Sequence, residues 1–178
     1  MITRIVKVVM AGDGGVGKTT LLESYRGGDL SKVTMTIGVN LMSIKIDERF
    51  SLQIWDLSGQ EQYRFLIDVF FRGAKLAILV FDVSRPQTLY NLVKWASILK
   101  EGAGDKIPTI VIGNKTDLGK NIDDEEIKKV IEELKLPILK YFETSAINNE
   151  GVIEVFSYLK QLFSAIKKRQ ESSLGSTS

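Results

Sequence analysis

The 178-residue sequence contains no cysteine and no histidine. Those two absences exclude disulfides, thiolate nucleophiles, imidazole acid–base pairs and the Cys/His ligand sets of structural zinc. Long apolar runs are missing as well. The longest, residues 76–81, falls far short of the roughly 20 residues that a membrane-spanning helix needs. Neither charge sign dominates: 24 Lys and Arg face 22 Asp and Glu, a net +2, which argues against nucleic acid as a partner. The N-terminal residues enter a β-branched run at once, leaving no room for a signal peptide. Residue 2 is Ile2 rather than glycine, and with no cysteine in the chain neither myristoyl, prenyl nor palmitoyl anchoring is expected. The expectation is a cytoplasmic protein that meets membranes only through partners.

Hydrophobic residues make up 44% of the chain and charged residues 26%, ordinary values for one globular domain. A chain of this length can bury roughly 70% of its unfolded surface, so it needs no covalent staples. Strand-like stretches at 5–11, 39–46, 50–57, 75–83, 107–113 and 138–143 alternate with helical patterns. A tight turn near Glu48 and Arg49 joins the second and third strands. Leu89, Leu92, Ala96 and Leu99 share one helical face, as do Ile127, Val130, Ile131 and Leu134. Val152, Val155, Phe156, Leu159, Leu162, Phe163 and Ile166 form the stripe of a last helix. The predicted class is α/β, a mostly parallel six-stranded sheet with helices on both faces. One domain is expected over residues 1–169, with a flexible polar tail over 170–178.

Between the first strand and the first helix lies Gly12-Asp13-Gly14-Gly15-Val16-Gly17-Lys18-Thr19, which fits G-x-x-x-x-G-K-[ST]. Glycines let such a loop wrap a phosphate with its amides pointing inward, and the following helix N-terminus adds a favourable dipole. Lys18 is expected to reach the β- and γ-phosphates, and the Thr19 hydroxyl to ligate Mg²⁺. By itself this loop specifies only a nucleoside phosphate.

Four further segments in order give the chain a resemblance to the small GTPase superfamily, closest to its Rab branch, over about the first 169 residues. Trp55-Asp56-Leu57-Ser58-Gly59-Gln60-Glu61 resembles the family's D-x-x-G-Q element. There Asp56 can hold a magnesium-bound water, the Gly59 amide can approach the γ-phosphate, and Gln60 can orient the attacking water. Thr36-Ile37-Gly38-Val39 looks like the first switch, whose threonine closes over magnesium. Gly113-Asn114-Lys115-Thr116-Asp117 resembles the N-K-x-D guanine motif, and Thr144-Ser145-Ala146 the last family motif. A carboxylate at Asp117 can accept from guanine N1 and its 2-amino group, a pattern that adenine does not offer. The resemblance implies that Asn114 would brace neighbouring loops, that the Lys115 stem would pack against the base, and that the Ala146 amide would donate to guanine O6.

The resemblance implies a slow GTP hydrolase and molecular switch of intracellular trafficking or signalling, with GTP or GDP and Mg²⁺ bound. Expected nucleotide contacts are Asp13, Gly14, Gly15, Val16, Gly17, Lys18, Thr19, Thr20, Thr36, Gly59, Asn114, Lys115, Asp117, Ser145 and Ala146. Thr19, Thr36 and Asp56 are the expected metal ligands, and Gln60, Lys18 and Gly59 the catalytic residues. A monomer is expected, meeting effectors, exchange factors and GTPase-activating proteins through the switches and a surface around Trp55.

Trp55 stands on the polar side of its strand, with Ser51 and Gln53, opposite Phe50, Leu52 and Ile54. It reads equally as a partner surface or as a site covered by the next helix over 65–71. The other tryptophan, Trp95, lies on a predicted helix away from the switches. The chain departs from the Rab pattern between Lys18 and Thr36, which is one residue shorter. The guanine-stacking aromatic of the first switch is replaced by Leu30 or Asp29, the switch tyrosine by Val33, and an effector-surface phenylalanine by Leu41. No arginine is placed to serve as an internal finger. Two rivals share the glycine loop. A nucleotide kinase would need an arginine-rich lid, which is missing, and a non-hydrolysing module would normally lose Gln60, Gly14 or Lys18.

Overall fold

The computed structural model describes residues 4–48, 50–59 and 67–175. Strand β1 (Arg4–Ala11) sends Val8 and Met10 into one core and Val9 and Ala11 into another. That period-two division is what a strand buried on both faces requires. β4 (Leu76–Asp82) and β5 (Thr109–Asn114) are buried along their whole length, which is why they read as unbroken apolar runs. β2 (Val39–Lys45), β3 (Phe50–Leu57) and β6 (Ile138–Thr144) complete a six-stranded sheet of order β2-β3-β1-β4-β5-β6. Only the β2–β3 pair is antiparallel; the remaining ladders are parallel. The amides of Ile46 and Asp47 donate to the Phe50 carbonyl to close the β2–β3 hairpin.

Helices α1 (Lys18–Arg26) and α6 (Val152–Gly175) cover one face through Leu21, Leu22, Val155, Phe156, Leu159 and Phe163. The other face receives α2 (Ile67–Phe71), α3 (Pro86–Tyr90), α4 (Leu92–Ala103) and α5 (Asp124–Glu133). Phe71, Leu89, Trp95, Leu99, Ile127, Val130 and Leu134 fill that second core. The stripe expected over 89–99 is therefore split between α3 and α4, with Asn91 as the shared cap, yet all four residues stay buried. Ile166, expected on the buried stripe of the last helix, is exposed. α6 continues to Gly175, so the polar segment after Gln170 begins as helix. Its Glu171 and the preceding basic residues are good helix formers, and extending an existing helix needs no new nucleus.

β1 lies where the strand order reverses, between β3 and β4. Ligands of open α/β sheets bind outside the carboxyl ends of the strands at that point. Ala11, Leu57, Asp82, Asn114 and Thr144 close their strands along this one edge. No described helix is long and apolar enough to cross a membrane.

Candidate functional site

The loop after β1 is shaped by glycines that no other residue would replace cheaply. Gly12 has φ 147°, and a Cβ there would lie 2.1 Å from the Val80 carbonyl oxygen. Gly17, at φ 97°, caps α1 and would drive a Cβ to 2.3 Å from Asn114 Nδ2. Gly14 differs: a Cβ would meet Gly59 only at ordinary contact, 3.8 Å.

Lys18 turns back across the loop and donates to the carbonyls of Gly12 (2.8 Å) and Asp13 (2.9 Å). Burial pushes its ammonium down to about 8, against the pull of the Asp56 and Asp13 carboxylates. A buried cation held mainly by carbonyl oxygens is poised for a polyanion.

Beside Lys18, Thr19 Oγ1 donates to Asp56 Oδ2 at 2.5 Å, and the Thr19 and Thr36 hydroxyls share a 2.6 Å hydrogen bond. Thr36 Oγ1 also stands 3.5 Å from Asp56 Oδ2. Asp56 is wholly buried at the end of β3, and its Oδ1 has no hydrogen-bond partner among the described residues. Burial raises this carboxyl above its ordinary value, although both threonine hydroxyls and the Lys18 charge oppose the shift. Three oxygen donors around an orphaned carboxylate oxygen suit a hard divalent cation.

Gly59 lies against the phosphate loop; a Cβ there would come within 2.3 Å of Asp13 C and Gly14 N. The Ser58 amide donates to the Gly38 carbonyl (2.8 Å), tying the two switch segments together. Gln60 lies outside the described residues, as does most of the segment that follows it. Gly14, Gly15, Gly17, Lys18, Thr19, Thr20, Thr36 and Gly59 line one cavity of about 360 Å³ with Val33 to Met35, and Lys115 closes its far end.

Asn114, next to Lys115 in the chain, does not itself line that cavity and is the centre of a neighbouring hydrogen-bond network. Its Nδ2 donates to the Val16 carbonyl (2.9 Å), and its Oδ1 accepts from Thr144 Oγ1 (2.8 Å) and the Ala146 amide (3.3 Å). The Ala146 amide, expected to face guanine O6, thus faces Asn114 at a distance long enough to be exchanged or shared. Ser145 Oγ donates to Asp117 Oδ1 at 2.6 Å and fixes that otherwise exposed carboxylate. Lys115 adopts a left-handed conformation (φ 70°) that brings its stem beside Gly17 and its ammonium onto Asp82 at 3.0 Å.

Several contacts escaped the sequence reading. Asp13 turns its carboxylate away from the loop's interior, accepting from Asn91 Nδ2 (2.6 Å) and Trp95 Nε1 (2.8 Å). Trp95, expected away from the switches, anchors the phosphate loop to α4. Nothing local signals a bond between residues so far apart in sequence. Asp82, at the end of β4, binds Ser84, Arg85 and Lys115; its Asp-x-Ser pattern is the signature of an Asx turn. Ile147 is 67% exposed and lines the cavity beside Lys115. Asp29 is engaged locally, accepting from the Ser31 amide and hydroxyl, and Leu30 is half-buried in the 3-10 turn Leu30–Lys32. Neither is among the described residues lining this cavity. Trp55 is half-buried: Phe70 packs at 5.9 Å, Lys7 Nζ sits 3.9 Å above its ring, and Nε1 donates to Gln53. The helix expected to cover it does so in part, and the rest of the ring stays accessible.

Comparison with known proteins agrees with this architecture. The Ras family pattern matches residues 7–165. The Ras-related protein RABA2a of Arabidopsis thaliana is 34% identical over 176 residues, spanning 95% of this chain and 80% of its own. RABA1h of the same plant is 36% identical over 172 residues (93% and 78%), and Rab-27A of Rattus norvegicus 34% over 184 residues (94% and 80%). The chain belongs to the Ras family, with Rab-type relatives, and is accordingly a GTP-binding protein and GTP hydrolase.

Proposed function

We propose that this protein is a magnesium-dependent GTP/GDP switch with slow intrinsic hydrolysis, acting in trafficking or signalling through partners that read its nucleotide state. The observation that carries this reading is the oxygen cluster of Thr19, Thr36 and Asp56 with Asp56 Oδ1 buried and unpaired beside the phosphate loop. Among the described residues no group of three or more acidic side chains is placed to hold a metal ion. One carboxylate and two hydroxyls are too few for a protein-only cage, so the ion enters with phosphate oxygens. When bound, Mg²⁺ neutralises charge developing between the β- and γ-phosphates.

The chain's own residues have distinct tasks. Lys18 gives up its carbonyl partners for the β- and γ-phosphates. Thr36 links the metal cluster to the first switch, and Gly59 brings its amide to the γ-phosphate from the second. Gln60 orients the attacking water. Asp117 reads guanine with Ala146, while Asn114, Lys115 and Ser145 hold the reading frame. Asp13 supports the loop from behind.

The exposed apolar side chains of Met35 and Ile37, 67% and 75% accessible, support a partner surface formed by the first switch. Effectors, exchange factors and GTPase-activating proteins would meet it there and around Trp55. The protein is a cytoplasmic monomer in this reading, drawn to membranes by such partners.

Release of labelled GDP with and without EDTA tests the metal assignment, and single-turnover hydrolysis tests the chemistry. EDTA should accelerate release at least tenfold, and hydrolysis should fall between about 10⁻⁴ and 10⁻² per second, the span from Ras to Gα proteins. Gln60→Leu should slow it further with binding intact. Release indifferent to EDTA would remove Thr19, Thr36 and Asp56 from the metal site.

A further inference from the structure

Arg85 occupies a position that the switch reading leaves without a task. It is the last of the three residues between β4 and α3 and the N-cap of that helix, which Pro86 opens, and its backbone is extended. Its Nε donates to Asp82 Oδ2 at 2.9 Å, and its Nη2 reaches the Gly14 carbonyl of the phosphate loop at 3.3 Å. A Cβ on Gly15 would lie 3.6 Å from the same Nη2, so the guanidinium is in contact with the loop's Gly14–Gly15 turn. Both glycines line the nucleotide cavity.

The electrostatics of this corner are unbalanced. Asp82 is buried, and its Oδ2 receives both Arg85 and Lys115 Nζ, the latter at 3.0 Å. Burial alone would raise the Asp82 carboxyl, but hydrogen bonds from Ser84, Arg85 and Lys115 outweigh it and hold the group below its ordinary value. One carboxylate thus faces two cations, leaving a net positive charge against the outer wall of the phosphate loop. Arg85 is also movable at its tip: its side chain is 48% exposed, and its bond to Gly14 is long enough to be given up at little cost.

We propose that Arg85 is a catalytic residue supplied by the chain itself, a cis-acting arginine that contacts the β–γ edge of the bound nucleotide in the transition state. This inference rests on the GTP-hydrolysis reading of the same site. In the reaction, the water oxygen bonds to the γ-phosphorus while the bond from that phosphorus to the β–γ bridging oxygen breaks. The electron pair stays on GDP, and the water's proton leaves with inorganic phosphate. Arg85 neither gains nor loses a proton. It stabilises the charge that accumulates on the bridging and γ-oxygens, as an arginine fork does wherever phosphate charge develops. Asp82 holds Nε and leaves the remaining guanidinium N–H groups to swing from the Gly14 carbonyl toward phosphate.

The alternative is a clamp that merely stiffens the loop, and GDP with aluminium fluoride separates the two. Fluoroaluminate mimics the phosphoryl group in transit and binds where the transition-state charge is already met. The full chain is loaded with GDP, given aluminium fluoride without any partner protein, and read by ¹⁹F NMR, with GDP affinity and single-turnover hydrolysis measured alongside. The unmodified protein should show bound fluoroaluminate. Arg85→Ala and Arg85→Gln should lose it and hydrolyse about tenfold or more slowly, with GDP affinity changed less than about threefold. Arg85→Lys should recover only part of the signal, because a point charge does not reproduce the fork. The Gln variant can keep a hydrogen bond to Asp82, so its loss would be a loss of charge. GDP affinity falling in step with hydrolysis would establish the clamp and overturn the proposal, as would variants that behave like the unmodified protein. GDP bound without fluoroaluminate would overturn the role of Arg85 alone. Failure to bind GDP would overturn the switch reading with it.

Discussion

The two ends of the nucleotide cavity are built differently. At the guanine end Asn114 is buried and bonded to Val16, Thr144 and Ala146, while Ser145 pins Asp117 and Asp82 pins Lys115. Apart from Val16 in the glycine loop, each of those residues lies on a strand of the sheet or within three residues of one. At the phosphate end the first switch contributes only irregular backbone, with Met35 and Ile37 exposed and Thr36 attached through a single hydroxyl cluster. In the proposed switch reading, the first end keeps one arrangement and the second is the end that the γ-phosphate would reorganise. A protein that must hold its base tightly while changing shape with one phosphate has reason to divide its rigidity in this way.

Breaking the rigid end should have the largest effect. Asn114→Ala strands the Thr144 hydroxyl, the Ala146 amide and the Val16 carbonyl in a buried site. A loss of about 3 kcal/mol or more in unfolding free energy is expected at 1–3 kcal/mol for each of the three buried groups left unpaired, together with a nucleotide affinity down at least about a hundredfold. Denaturant midpoints measure the first, and a shift no larger than that of a switch variant would break the comparison.

Asp117→Asn comes next. The carboxylate is exposed and touches only Ser145 among the described residues, so folding should be nearly unaffected. GTP affinity should fall about 10- to 100-fold, as one paired hydrogen-bond set is lost, with xanthine nucleotides gaining. Parallel losses for both bases would remove Asp117 from base recognition.

Ile147 sharpens the same end at a smaller scale. An apolar side chain this exposed beside Lys115 is the natural cover for a base, and Ile147→Ala removes about 1 kcal/mol of that cover if half of its surface is buried by the ligand. GDP release should then be roughly fivefold faster. An unchanged rate would mean that the base is covered from elsewhere, Leu30 being the candidate from sequence.

Most of the fold was legible because it follows from period and punctuation. Strand edges, the glycine loop and the ordered motifs are local features, and all six strands lie within two or three residues of where their patterns fall. What escaped is long-range. Asp13 could be placed in the loop from its motif, but not turned outward onto Asn91 and Trp95, because that bond joins residues about 80 apart. Arg85 likewise sits in no motif. Its importance comes from β4 ending beside the phosphate loop, which only the strand order reveals. Trp55 was read as surface or as covered, and is partly each: the β2 partner Leu41 and the α2 residue Phe70 flank it without enclosing it.

The smallest effect on stability, and the sharpest test of the flexible end, is expected from Thr36→Ala. The hydroxyl lost is half-exposed and shares Thr19 and Asp56 with no buried donor left behind. About 1 kcal/mol or less should be lost from folding, and GDP affinity should stay within about threefold because the base end is untouched. The variant should fail in a different respect. Trp55 stands one residue before Asp56 and pairs across the ladder with Leu41, just beyond the first switch. In the unmodified protein its fluorescence should differ between GDP and a non-hydrolysable GTP analogue, and Trp55→Phe should remove most of that difference, since Trp95 is buried and fixed to Asp13. In Thr36→Ala the difference should collapse although both nucleotides still bind. A full fluorescence change in that variant would show that the γ-phosphate orders the surface without Thr36, and the division between a rigid and a responsive end would have to be drawn elsewhere.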